Sequence, residues 1–317
     1  MKLHDSILNA EKVVREYLRL TPAEHSPFLS NKTGAEVFLK LENFQVTGSF
    51  KARGAINKLS SLTDQEKVLG VITASSGNHG LGVASGAKKL GIQATVYVPE
   101  YADPSKVQAI ELEGAEVKFV GDDCVITESA ARKDAKQSGE IYISPYNDLD
   151  VIAGQGTIGV ELLQQLGRLD AVFVSVGGGG LISGIGAYLK EASPSTEIVA
   201  CSPSQSPAMH ACMEAKRTID VPCYPTLSDA TAGGVEEGAI TLDLCCTHVD
   251  QSILVEEEEI KAAMLTVMNQ HHMLIEGAAG VAVAAFLKTQ ENYLGKKVAI
   301  LICGANIGIE KLRSVLS

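Results

Sequence analysis

Ala171-Val172-Phe173-Val174-Ser175-Val176, then Gly177-Gly178-Gly179-Gly180, then Leu181-Ile182-Ser183-Gly184 is the stretch that decides the fold. It reads as a strand, a glycine turn and the start of a helix. The same alternation runs through the chain. Val71-Ile72-Thr73, Ala94-Thr95-Val96-Tyr97-Val98, Val117-Lys118-Phe119-Val120, Ile141-Tyr142-Ile143, Ile198-Val199-Ala200 and Val298 to Ile302 are short β-rich runs separated by helix-length segments. Strands rich in Val and Ile that alternate with helices form parallel sheets covered on both faces, so the fold class is α/β.

Two sheets are expected rather than one. The runs between Val71 and Ile143 close a compact unit ending near the turn Ser144-Pro145-Tyr146-Asn147, and the later runs form a second set. Val37-Phe38-Leu39-Lys40-Leu41 precedes the first set and is expected to pair with the second. The smaller domain, residues 73–147, is then an insertion in a larger one made of 1–72 and 148–317.

A chain of 317 residues can bury a large core, and its 45% hydrophobic and 21% charged residues exclude disordered and fibrous classes. With 27 Lys+Arg against 38 Asp+Glu the net charge is −11. That field repels phosphodiester backbones and anionic lipid, so neither nucleic acid nor membrane is an expected partner. A small anion can still be held by local backbone N–H groups. Seven cysteines without a CxxC pair suit neither a disulfide framework nor a zinc site, and a reducing cytoplasm is expected. No apolar signal core follows Met1-Lys2-Leu3-His4-Asp5, and no span of about 20 apolar residues occurs. The acidic run Glu256-Glu257-Glu258-Glu259 opens the helix Ile260 to His271, where the dipole favours carboxylates, and no metal is expected there.

Four motifs carry chemistry. In Thr47-Gly48-Ser49-Phe50-Lys51-Ala52-Arg53-Gly54 a lysine stands among small and apolar neighbours. Desolvation there lowers the amine's pKa and lets it attack an aldehyde to form an imine, which points to pyridoxal phosphate; the alternative is a solvated lysine at a helix start. The tetraglycine loop can crowd N–H groups around an anion at a helix N-terminus. It completes neither GxGxxG nor GxxxxGK[ST], so a monophosphate is preferred over a dinucleotide or ATP, and a turn without ligand is the other reading. Thr73-Ala74-Ser75-Ser76-Gly77-Asn78-His79-Gly80 is a second small-residue loop between strand and helix. It suits a carboxylate, with Ser76 available for proton exchange, or else its Ser and Asn cap a helix and His79 is structural. Ala299-Ile300-Leu301-Ile302-Cys303-Gly304-Ala305-Asn306 delivers a cysteine to the end of a strand, either as a small core residue or as a weak hydrogen-bond partner for a ring nitrogen.

Together, SFKARG, SSGNHG, the tetraglycine loop and CGAN resemble the fold-type II pyridoxal-phosphate enzymes, in particular the serine/threonine dehydratase and serine racemase group. The runs Ala153-Gly154-Gln155-Gly156-Thr157 and Glu276-Gly277-Ala278-Ala279-Gly280 are further matches, so the resemblance covers almost the whole chain. It implies two domains of the tryptophan synthase β kind, each an open, mostly parallel twisted sheet flanked by helices. It also implies pyridoxal 5'-phosphate as cofactor, a Schiff base at Lys51, Phe50 beside the ring, and Asn78 on its 3'-oxygen. Gly177, Gly178, Gly179 and Gly180 with the Leu181 N–H would hold the phosphate, and Glu276 and Cys303 would complete the cofactor site, Cys303 facing the ring nitrogen. Ser75, Ser76, Gly77, Asn78 and His79 would bind the substrate.

The activity so implied is α,β-elimination of L-threonine or L-serine to a 2-oxo acid and ammonia, with Lys51 as base. A neutral partner such as Cys303 does not stabilise a protonated ring, so elimination is expected to prevail over side chemistry. The resemblance equally admits a racemase using Lys51 and Ser76, or a 3-hydroxyaspartate dehydratase. A ligand-binding protein that keeps the fold is the reading outside catalysis. Relatives that bind a stimulating divalent metal carry acids where Ser202 and Ala208 stand here, so no metal site is expected. The Thr231 to Gly238 segment departs from mammalian-type serine racemases at Glu237, which leaves Glu236 and Glu237 either as groups that select the substrate side chain or assist elimination, or as solvated loop carboxylates. The family also implies a homodimer, and a chain closing at Ser317 is expected to lack a C-terminal regulatory domain.

Overall fold

The computed structural model describes residues 2–122 and 124–317. Its strands are β1 (Ala23–His25), β2 (Glu36–Leu41), β3 (Val71–Ala74), β4 (Ala94–Val98), β5 (Glu116–Phe119), β6 (Ile141–Tyr142), β7 (Ala171–Ser175), β8 (Glu197–Pro203), β9 (Gln251–Val255) and β10 (Lys297–Ile302). The helices are α1 (Leu3–Tyr17), α2 (Pro27–Thr33), α3 (Lys51–Ser61), α4 (Asp64–Leu69), α5 (Asn78–Leu90), α6 (Pro104–Leu112), α7 (Cys124–Ser138), α8 (Leu149–Leu166), α9 (Gly180–Ala192), α10 (Ala208–Ala215), α11 (Ile240–His248), α12 (Glu257–His271), α13 (Gly277–Lys288) and α14 (Ile309–Leu316).

The strands form two sheets, ordered β1-β2-β10-β7-β8-β9 and β5-β4-β3-β6. Every pairing is parallel except β1 with β2. β2 lies beside β10 in the register Val37 with Val298, which joins the start of the chain to its last strand. The α/β class is therefore as the sequence indicates. Central strands were legible because they are apolar on both faces: β7 is buried at every position, and β10 at every position but Lys297. The two edge strands of the larger sheet were not. β1 is a three-residue Ala-Glu-His run and β9 is mostly half-exposed, so neither carries a continuous apolar signal. The smaller sheet begins with β3, which straddles position 72.

The acidic run at the start of α12 serves the helix itself. Glu256 caps it reciprocally with Glu259, and Glu257 accepts from Thr226 Oγ1 at 2.6 Å and Leu227 N at 2.7 Å.

Beneath the first turn of α3 lies a cluster of fully buried charge. Arg53 donates to Glu42 through Nε at 2.7 Å and Nη2 at 2.8 Å, and to Glu161 through Nη1 at 2.6 Å and Nη2 at 2.9 Å. Lys40 Nζ donates to Glu161 at 2.5 Å and to the Thr21 carbonyl at 2.6 Å. Two cations thus face two carboxylates, all with no exposed surface. Burial opposes the Arg53 charge, but Glu42 and Glu161 outweigh it and drive its pKa up. Such a cluster tolerates no single deletion, because the surviving charges lose their compensation in a low-dielectric interior. Glu161→Gln is expected to cost about 3–5 kcal/mol, read as a lower urea midpoint. A midpoint equal to that of the unaltered protein would contradict this account.

Candidate active site

A cavity of about 460 Å³ opens where β3, β7 and β10 end, with Ala74, Ser175 and Cys303 in its wall. Ligands of parallel α/β proteins bind at this end of the strands, because the connecting loops and helix N-termini gather there. Phe50, Lys51, Ser75, Ser76, Gly77, Asn78, His79, all four loop glycines, Leu181, Glu276 and Cys303 line the same cavity. The structure thus places the cofactor and substrate residues implied by the resemblance around one cavity, the candidates Glu236 and Glu237 excepted.

Lys51 is the first residue of α3. The segment before it is stitched to the end of β10: Phe50 N donates to Cys303 O at 3.0 Å, and Ala305 N to Gly48 O at 2.9 Å. The Lys51 amine donates to the Pro145 carbonyl at 2.9 Å, and no carboxylate pairs with it directly. Desolvation lowers its pKa to about 8, against partial restoration by Cys303 and Glu276. An amine of this kind is a usable nucleophile and base near neutral pH.

The Ser75 to Gly80 loop opens α5, with Gly77 as the N-cap. Its first-turn N–H groups have no intrahelical acceptor and are suited to a carboxylate. His79 differs from a carboxylate donor. Its Nε2 lies 3.1 Å from the Ile143 carbonyl, and burial together with the nearby Lys51 lowers its pKa to about 3. The ring is neutral, its one N–H is taken by that carbonyl, and Nδ1 is a buried acceptor without a partner. Any donation from this residue to an anion must come from its backbone.

Asn78 is held on both ends of its amide. Nδ2 donates to Glu276 Oε1 at 2.9 Å and Oε2 at 3.0 Å, while Oδ1 accepts from Asn306 Nδ2 at 2.6 Å. Asn306 also donates from Nδ2 to Thr47 O at 2.8 Å and from its backbone N to Glu276 at 3.1 Å. Burial raises the Glu276 pKa, although the Asn78 and Asn306 donors pull it back. Cys303 sits between Ser175 Oγ, 3.5 Å away, and Glu276 Oε1, 3.9 Å away. Burial and the Glu276 charge push its pKa upward, so the group offered to the cavity is a neutral thiol.

The glycine loop precedes α9, with Gly179 as N-cap in the left-handed region at φ 85°. A sequence reading ascribes its four glycines to a ligand; the structure gives each a protein neighbour as well. A Cβ at Gly177 would lie 3.0 Å from Thr231 Cα, one at Gly178 would strike the Tyr146 ring, and one at Gly180 would lie 3.0 Å from Tyr146 Cβ. Tyr146 and Asn306 were quoted within motifs but given no role, because nothing in a linear sequence shows what a turn packs against. Glu236 has a different setting from the one considered for it. Its carboxylate accepts from Arg132 Nη2 at 2.8 Å, and Glu237 is exposed. Neither glutamate lines the cavity.

The family model described as "Pyridoxal-phosphate dependent enzyme" matches residues 14–304. The L-threonine ammonia-lyase of Thermotoga maritima is 39% identical over 313 residues, covering 99% of this chain and 78% of that protein. The processed form of threonine deaminase isoform 2 from Solanum lycopersicum superposes with a TM-score of 0.94 at 31% identity, covering 99% of this chain and 92% of that one. Maize serine racemase superposes with a TM-score of 0.93 at 30% identity, covering 99% and 96%.

The lowered pKa of Lys51 has a consequence for stability. Below about 8 the amine is protonated in both folded and unfolded chains, and the full cost of burying the ammonium is present. Between about 8 and the ordinary 10.5 the unfolded chain holds the extra proton, so stability rises with pH. Lys51→Met is therefore expected to raise the urea midpoint of the ligand-free protein at neutral pH, with the gain shrinking as pH approaches 10.5. A gain independent of pH would show that the amine is not the cause.

Proposed function

The chain belongs to the pyridoxal-phosphate dependent enzymes, and from that membership we propose that it is an L-threonine and L-serine ammonia-lyase. Full-length likeness to L-threonine ammonia-lyases supports this reading. The structural observation that carries it is one cavity holding a lysine amine with a pKa near 8, a glycine loop at a helix N-terminus and a neutral thiol at a strand end. The residues fit the cofactor. A monoanionic or dianionic group suits the N-terminus of α9, an aldehyde suits Lys51, and the cavity has the volume of an ordinary small-molecule site.

Pyridoxal phosphate supplies the electron sink that makes a substrate α-proton acidic. The protein's part is to bind, orient and move protons. Gly177 to Gly180 and the Leu181 N–H would hold the phosphate, Phe50 would flank the ring, and Cys303 would face the ring nitrogen without adding a charge. Glu276 and Asn306 keep the Asn78 amide turned one way, with its NH2 on Glu276, and so fix the residue that would stand beside the 3'-oxygen. Ser75, Gly77, Asn78 and His79 receive the substrate carboxylate, His79 through its backbone. Lys51 takes the α-proton; a pKa near 8 lets it accept and return a proton close to neutral pH. The substrate loses its α-proton to Lys51 and its β-hydroxyl with one proton, a net loss of one water, and hydrolysis of the released enamine gives the 2-oxo acid and ammonia.

Serine racemisation is the second reading, favoured by Ser76 lining the same cavity as Lys51 and by the likeness to maize serine racemase. Division into 1–72 with 148–317 and an inserted 73–147, a homodimer and a cytoplasmic setting complete the proposal. No helix among the described residues is long and apolar enough to cross a membrane.

Purified protein supplied with the cofactor is expected to show the imine absorption band and to lose it in Lys51→Ala. It is expected to release 2-oxo acid and ammonia in equal amounts from L-threonine and L-serine. Chiral analysis of the residual serine decides between the readings: abundant D-serine with little 2-oxo acid would replace the lyase by the racemase.

A further inference from the structure

Tyr146 touches the cavity wall at two places. Its ring is the surface against which Gly178 lies, and its Cα and Cβ stand 3.0 Å from where a Cβ of Gly180 would be. Two of the four loop glycines are therefore fixed by this one residue. At the far end of the ring, the hydroxyl oxygen accepts a hydrogen bond from Glu236 N at 3.1 Å. Burial raises the hydroxyl's pKa to about 12, which keeps it neutral at working pH. Glu236 is in turn fixed by its ion pair with Arg132 of α7, itself held by Glu128 at 2.7 Å and lying 4.3 Å from the Tyr142 ring centroid. The segment that Tyr146 captures contains Gly233 and Gly234, which line the cavity and have open space where a side chain would be. The neighbours of Tyr146 reinforce the placement: Pro145 O receives the Lys51 amine, and Asn147 Oδ1 accepts from Ile240 N at 2.9 Å.

We propose that Tyr146 is a positioning residue with two separable tasks: its ring shapes the glycine loop for the cofactor's phosphate, and its hydroxyl, by holding the backbone at Glu236, fixes the adjoining Ala232 to Gly234 stretch of the cavity wall toward the amino-acid substrate. The inference rests on the pyridoxal-phosphate reading. It differs from a general packing role in a measurable way, because a ring that shapes only the phosphate cradle matters to a ligand bearing a phosphate and not to one without it.

The test uses Tyr146→Ala and Tyr146→Phe, with equilibrium binding of pyridoxal phosphate and of pyridoxal to cofactor-stripped protein followed by absorbance and fluorescence. Tyr146→Ala is expected to weaken pyridoxal phosphate about tenfold or more, since an unshaped loop must be ordered on binding, and to leave pyridoxal within about twofold. Tyr146→Phe retains the ring; it is expected to bind pyridoxal phosphate as the unaltered protein does and to raise KM for L-threonine about fivefold, the effect of one lost hydrogen bond. Equal weakening of both ligands in Tyr146→Ala, or no weakening of either, overturns the role of the ring. Loss of cofactor affinity in Tyr146→Phe, or an unchanged KM, overturns the division of tasks. If the unaltered protein itself binds no pyridoxal phosphate, the functional reading fails and not the placement of Tyr146.

Discussion

The site depends on helices that touch backbone to backbone. A Cβ at Gly82 of α5 would lie 3.2 Å from the Lys51 carbonyl carbon, and one at Gly154 of α8 would lie 2.5 Å from Arg53 O and 2.7 Å from Gly54 Cα. A Cβ is excluded at Gly154 and would crowd the main chain at Gly82, so α5, α3 and α8 are spaced by van der Waals contact between main chains. Close-packed interiors transmit such spacing with little slack. Because α3, α5 and α9 all begin at the cavity, this packing aims three helix N-termini into one space. Each carries partial positive charge and unpaired N–H donors. An acidic protein of net charge −11 thereby presents a local surface that attracts a phosphate and a carboxylate.

Lys51 and Arg53 show how one helical turn can separate reactivity from structure. Both are cations in the same small-residue run, two positions apart, which puts them on different sides of α3. Arg53 meets two buried carboxylates that hold its charge in place and raise its pKa. Lys51 meets a carbonyl and the cavity, and desolvation lowers its pKa to about 8. The strongly paired cation anchors the first turn of the helix; the weakly paired one is left available for chemistry. Had a carboxylate stood beside Lys51, the ammonium would be stabilised and the nucleophile lost.

That distinction was out of reach of the sequence, which supplies the residue types but not the partners. A lysine in SFKARG is compatible with a solvated helix start or with a buried amine, and only the meeting of α3 with the end of β10 decides. Central strands and the strand-loop-helix units were legible because their signals are local: apolar runs, glycine turns and helix periodicity. β1 and β9 were not: β1 is three residues long, and β9 is half solvated and reads like its surroundings. The glycine loop was found for a partial reason. Its glycines admit an anion, but they also yield room to Tyr146 and Thr231, residues about 30 and 50 positions away in sequence. Glu236 stayed open between the substrate and solvent for the same reason: its partner Arg132 lies 104 residues away.

Glu276 resolves an apparent conflict in the site. A buried carboxylate 3.9 Å from the Cys303 sulfur would favour a protonated ring nitrogen if its charge were free to act through that thiol. Its hydrogen-bonding capacity is directed elsewhere, with Asn78 donating to both oxygens and Asn306 N to one of them. The Asn306 side chain then extends the same chain of bonds to Asn78 Oδ1 and Thr47 O. Four segments meet in this network: the loop before Lys51, the start of α5, the residue before α13 and the loop after β10. The negative charge is therefore used to orient an amide and to tie the helix following β3 to the segments around β10. Burial and the Glu276 charge together hold the Cys303 thiol protonated, so it stays a neutral, weak partner. The electrostatic character of the ring site and the mechanical closure of the cavity are set by the same few hydrogen bonds.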